Sequence, residues 1–168
     1  NYKTFTDSVL SDEVKEIKVY EEFCIPAKKE SIIIMRGNIA EKFAITKTTT
    51  LTDDKTKVSA NVQVFSSDQE AYNAVINKAI TNNAVIVIKD CGKNTETGET
   101  TIYQTALALE SMGLQDKNII VTDGFVMDDT KVISISMCSP DSNSGNIKYV
   151  KDGDEIEIDF IKGRINIE

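Results

Sequence analysis

The sequence has no histidine and no tryptophan, and only two prolines and three cysteines. The missing histidine removes the commonest general base, the serine–histidine nucleophile pair and most zinc sites together. Chemistry in this chain would fall to carboxylates, Lys, Tyr, Cys or a bound cofactor. Cys24, Cys91 and Cys138 are odd in number and widely spaced, with no C-x-x-C, so they form no disulfide framework. A reducing, cytoplasmic setting follows as the default. No apolar run approaches the length of a bilayer crossing, and the N-terminal residues show no signal-peptide pattern. Basic runs are missing as well: Lys28-Lys29 passes at once into Glu30, a solvated turn. With a formal charge of −8, no basic stripe is left for phosphate, which excludes a nucleic-acid surface.

What is present fits one ordinary domain of 168 residues with a core of its own. Residues 1–30 are polar and mixed and read as a linker with one short strand at Ile17–Tyr20; residues 31–168 form the domain. Ser31–Met35 is a short continuous apolar run, as in a buried strand, and Arg36-Gly37-Asn38 ends it. Phe43–Thr50 and Val58–Phe65 alternate as half-buried strands. Ser67 and Glu70 form a capping box that opens a helix running through Ala71, Ala74, Val75, Lys78 and Ala79 to Asn82-Asn83. Ala84–Ile88 is a second buried strand, and Gly92–Gly98 a polar loop. A second helix is predicted from Thr100 to Met112, with Ile102, Tyr103, Ala106, Leu109 and Met112 on its apolar face and Gly113 closing it. Strands follow at Asn118–Val121 and Val132–Met137. The tail alternates at Ile147–Val150, Glu155–Phe160 and Arg164–Ile167, with a hairpin turn at Lys162-Gly163. About nine strands and two helices predict a β-rich α/β domain: a mixed sheet or squashed barrel with helices on one side.

Three segments resemble a known family. Ile34-Met35-Arg36-Gly37-Asn38-Ile39-Ala40 is similar to L-R-G-N-L-A. Ser111-Met112-Gly113-Leu114 with Ile119–Gly124 is similar to G-M-G-L and L-I-T-D-G. Cys138-Ser139-Pro140 and Val150–Asp159 are similar to V-S-P and V-x-D-G-D-x-I-x-I-D. In this order and register they resemble the C-terminal domain of the dihydroxy-acid and phosphogluconate dehydratases, from about Lys3 to Ile167. The resemblance implies a swivelling β/β/α barrel that covers a site built mainly by a large N-terminal domain. That other domain supplies the cysteines of an iron–sulfur cluster and most ligands of a magnesium ion. Together they turn 2,3-dihydroxy acids into 2-keto acids, in branched-chain amino-acid synthesis or sugar-acid breakdown. The present residues match the C-terminal domain alone, so no cofactor is expected in this chain by itself.

Two positions carry chemistry in that family. A serine in T-D-G-R-F-S-G-G-T acts as base; here the segment is Thr122-Asp123-Gly124-Phe125-Val126-Met127-Asp128-Asp129-Thr130, with Met127 at the serine position. A thioether takes no proton from carbon. A glutamate in I-R-Y-E-G holds magnesium; here Ile88-Lys89-Asp90-Cys91-Gly92 puts Cys91 in its place, a soft donor for an oxygen-preferring ion. Asp90, Asp128 and Asp129 read either as a new metal or acid–base cluster or as solvated loop acids. Cys91 reads either as a reactive thiol or as a buried bystander, with Lys89 and Lys93 the cations that could activate it. Tyr103 and Met112 read as helix core. Ser139 keeps a carboxylate-binding role by resemblance, or serves the turn at Pro140.

The leading expectation is therefore a dehydratase-like C-terminal domain that is catalytically incomplete alone, partnered by an N-terminal dehydratase domain or by a second copy. The alternatives are a non-catalytic interaction or ligand-binding domain, half of a split dehydratase, or an enzyme with a site rebuilt from Asp90, Cys91, Asp128 and Asp129.

Overall fold

The computed structural model describes residues 32–47, 50–51, 55–94, 96, 98, 100–127 and 129–168. The predicted strand at Ile17–Tyr20, Cys24, the Lys28-Lys29 pair and Asp128 lie outside them. Eight strands close a barrel: β1 (Ile32–Gly37), β2 (Ala40–Lys47), β3 (Lys57–Phe65), β4 (Val85–Ile88), β6 (Ile119–Thr122), β8 (Ile133–Ser139), β9 (Glu155–Asp159) and β10 (Arg164–Ile167). Their order around the barrel is β1-β10-β9-β3-β4-β6-β8-β2. Neighbours from β3 through β4 and β6 to β8 run parallel, as do β1 and β10. The other pairs are antiparallel, which makes the sheet mixed. Two short strands, β5 (Thr101–Ile102) and β7 (Phe125–Val126), pair with each other.

Two helices, α1 (Asp68–Ile76) and α2 (Gln104–Ser111), contribute to a core distinct from the barrel interior. The apolar runs of β4 and β6 explain how one strand serves both cores. Alternate side chains point to opposite faces of a strand. Val85, Val87, Ile119 and Val121 join the barrel interior with Met35, Ile156, Ile158 and Ile165. Ile86, Ile88 and Ile120 join Ala71, Val75, Ala106 and Leu109 of the helices instead. Fully burying each such aliphatic side chain contributes about 1.5–3 kcal/mol.

Helix α1 starts where the sequence predicts. The Ser67 hydroxyl accepts the Glu70 amide at 3.2 Å. Glu70 reaches one residue further back than a capping box requires, accepting the Ser66 amide at 2.8 Å. The helix ends at Ile76, short of Asn82, so Lys78 and Ala79 fall beyond it. The reason lies in β3: the Gln63 side-chain amide donates to the Ala79 carbonyl and accepts the Thr81 amide, holding the chain in a turn toward β4.

The second helix begins later than predicted, because Thr101–Ile102 pair with Phe125–Val126 before the helix opens. Its start is fixed by a residue of the other helix. Asp68 Oδ2 accepts the amides of Tyr103 and Gln104 at 3.0 and 2.9 Å, and its Oδ1 accepts that of Thr105 at 3.0 Å. The Thr105 hydroxyl donates back to the Asp68 carbonyl. Tyr103, expected in the helix core, is instead the N-cap and 40% exposed; Met112 is half-buried at the C-cap. Gly113 closes the helix as predicted, at φ 68°, with the Leu114 amide on the Leu109 carbonyl and the Gly113 amide on that of Glu110. The predicted strand Ile147–Val150 is a 3-10 turn, Asn146–Tyr149. The Lys89 ammonium draws its carbonyl end together by donating to Lys148 and Val150.

Asp68→Ala would leave three helix-start amides without an acceptor inside the fold. The expected loss is about 3 kcal/mol in urea denaturation; a loss below about 0.5 kcal/mol would contradict this role.

Candidate functional site

Because β4, β6 and β8 are parallel, their C-terminal ends deliver three loops to one end of the barrel. The residues matched to the family's chemistry fall on these loops. At their meeting point stands Asp123, directly after β6 and 6% exposed. Its Oδ1 accepts the Cys91 amide at 3.0 Å, and its Oδ2 accepts the Ser142 amide at 2.8 Å. One carboxylate therefore joins the loop after β4 to the loop after β8. Two glycines allow the approach. A Cβ on Gly92 would collide with the Asp141 side chain, and one on Gly124 would stand 2.8 Å from Cys91 Cβ. The Cys91 carbonyl accepts the Thr100 amide, and the Thr100 carbonyl accepts that of Phe125.

Cys91 is 2% exposed and packs in the helix-side core with Ile88, Ile102 and Val126. Its thiol lies 3.5 Å from the Lys89 carbonyl, to which it donates. Burial, and then the negative charge of Asp123, push the thiol up to about 12. Of the two cations expected to activate it, the Lys89 ammonium is held by the carbonyls of Lys148 and Val150, and Lys93 is exposed. A thiol so placed stays protonated and is no match for an oxygen-preferring dication such as magnesium. Cys138 is fully buried in the barrel interior, and burial raises its thiol as well.

Met127 is 37% exposed and borders a cleft of about 50 Å³. Ile45, Phe125, Val132 and Met137 give the cleft its apolar wall, and Lys47, Thr130 and Ser136 its polar points. The Met127 amide donates to the Ile102 carbonyl, and its own carbonyl accepts the Thr130 hydroxyl at 3.2 Å. The backbone is thus fixed, while the residue remains partly exposed along the cleft lining. Ser139 is half-buried at the end of β8 and precedes Pro140 through a cis peptide. Asp90 and Asp129 are exposed. Among the described residues, no three His, Cys, Asp or Glu side chains converge in a way that could hold a metal ion. Sequence reasoning passed over Asp123, Asp141 and Ser142; the signal was the T-D-G turn itself, where an acid follows a buried strand.

The fold and site define a β-rich domain whose parallel strand ends carry a carboxylate-fastened set of loops. The family model described as dihydroxy-acid/6-phosphogluconate dehydratase C-terminal matches residues 19–168, and the chain belongs to this family. It is 32% identical over 168 residues to a dihydroxy-acid dehydratase of Clostridium botulinum, covering 99% of this chain and 30% of that protein. It is 30% identical over 172 residues to one of Caldanaerobacter subterraneus subsp. tengcongensis, covering 98% and 31%. It is also 30% identical over 142 residues to one of Archaeoglobus fulgidus, covering 84% and 26%. The chain thus spans about 30% of the length of these curated relatives. No helix among the described residues is long and apolar enough to cross a membrane.

The buried thiol makes stability depend on alkaline pH. The folded state keeps a proton that an unfolded cysteine releases above its ordinary value of 9.0. This contribution is intact below pH 9 and is lost as pH rises toward about 12, at about 1.4 kcal/mol per pH unit for one such group. Urea titrations between pH 9 and 10.5 should give a shallower decline for Cys91→Ala than for the wild type. Parallel declines would show that the thiol ionises freely.

Proposed function

We propose that this chain is the C-terminal, swivelling domain of a dehydratase-type protein and does not itself supply the dehydration chemistry. The single observation that carries this reading is Met127. At the position that the resemblance gives to a base, the cleft receives a partly exposed thioether, which accepts no proton at working pH. Cys91 supports it from the other side, since a protonated, buried thiol stands where the resemblance gives an oxygen ligand. No step is therefore derived through magnesium or an iron–sulfur cluster; in relatives of full length those groups would belong mainly to the other domain. In this reading the domain begins near residue 31, residues 1–30 are a connection, and the setting is the reducing cytoplasm.

The partner is the larger part of a dehydratase. Ile32 and Ile34 point outward from β1, and Ile34 lies beside Ile45 in register, at the wall of the Met127 cleft. An outward apolar strip next to a cleft favours a face covered by protein. Ser139, at the end of β8, is the remaining candidate for contact with a substrate carboxylate.

The test is formation of 2-keto acid from a 2,3-dihydroxy acid by the purified chain with millimolar magnesium. No turnover above the protein-free background is expected. Turnover that Ser139→Ala or Asp129→Ala abolishes would contradict the reading and favour a rebuilt site.

A further inference from the structure

Two buried polar atoms at the clamped end of the barrel have no partner. Asp141 and Ser142 are 7% and 5% exposed. Asp141 Oδ2 accepts the Asn94 amide at 2.8 Å, but its Oδ1 and the Ser142 hydroxyl are buried without a hydrogen-bond partner. The Asp123 carboxylate is bound to the same loop through the Ser142 amide. Neither carboxylate has an ion-pair partner among the described residues, and the Lys89 ammonium is committed to the carbonyls of Lys148 and Val150. Among the described residues, two buried carboxylates thus meet at the loop after β8 with no ion pair to either.

Leaving a carboxylate oxygen bare inside a protein costs far more than leaving a neutral acceptor bare, so the position calls for a donor or a positive charge. The free carboxylate oxygen of Asp141 and the hydroxyl of the next residue, Ser142, are both hard oxygen donors. Dications of this preference generally collect several carboxylates, and here no three acidic side chains converge among the described residues. One free carboxylate oxygen suits a charge of +1. The negative potential of Asp123 also favours a cation over a neutral water molecule. We propose that Asp141 Oδ1 and Ser142 Oγ bind a monovalent alkali cation, Na⁺ or K⁺, which locks the loop after β8. This site uses none of the residues at the family's base or ligand positions and stands independently of the functional reading above.

The test is thermal unfolding of the whole chain in NaCl, KCl and N-methylglucamine chloride at equal ionic strength. In at least one alkali salt the Tm should exceed that in N-methylglucamine by about 4 °C or more, the size expected for a ligand well above its Kd. Asp141→Asn and Ser142→Ala should each bring the difference below about 1 °C; should Asp141→Asn fail to fold, Ser142→Ala carries the comparison. Equal Tm values in all three salts for the wild type would overturn the proposal and assign the space to water. A full-sized alkali effect surviving in the variants would also overturn it, by placing the ion elsewhere.

Discussion

The Asp123 carboxylate accepts one amide from the loop after β4 and one from the loop after β8, and both acceptances are buried. A parallel arrangement of β4, β6 and β8 brings three loops to one end of a barrel but does nothing to join them. Hydrogen bonds to a charged acceptor in a dry setting are among the stronger polar contacts a fold can make. Their loss would leave both a buried charge and two amides without partners. The position of Cys91 follows from this contact, because its amide is fixed while Gly124 packs against its Cβ. So does the loop that carries Asp141 and Ser142.

On the proposed reading, loss of the family's chemistry leaves this scaffold intact. Cys91 sits in an apolar core and Met127 at a cleft wall, and both suit their surroundings as packing residues. In that reading the carboxylate that shapes the site is kept, while the two positions that would do chemistry hold sulfur. Fold and reactivity are thus separable in this domain: barrel closure rests on aliphatic alternation in β4, β6, β9 and β10, and reactivity would rest on side chains at the loop ends.

Much of the barrel was legible because its cause is local. Val85–Ile88 is wholly apolar and Ile119–Thr122 apolar but for its last residue; both are short and bounded by turn residues, and each became a strand buried on both faces. The Ser67 cap and the Gly113 closure are likewise local chemistry. Where the sequence misled, a distant partner decided. Thr101–Ile102 is strand because Phe125–Val126 lies beside it, and α2 starts at Gln104 because Asp68 caps it from another helix. Ile147–Val150 alternates like a strand yet turns, since Lys89 gathers its carbonyls. In the site, motif register alone leads one to expect Met127 and Cys91 at the family's base and ligand positions. The clamp and the unpartnered Asp141 oxygen were not legible, because each depends on contacts between loops far apart in sequence.

Native-state hydrogen exchange followed residue by residue tests the clamp most directly. The Cys91 and Ser142 amides share one acceptor, so both should be protected and open with the same free energy. In Asp123→Ala both should exchange freely, while the Val62 amide, bonded to the Asp154 carbonyl, stays protected. Persistent protection of either loop amide in that variant would contradict the account.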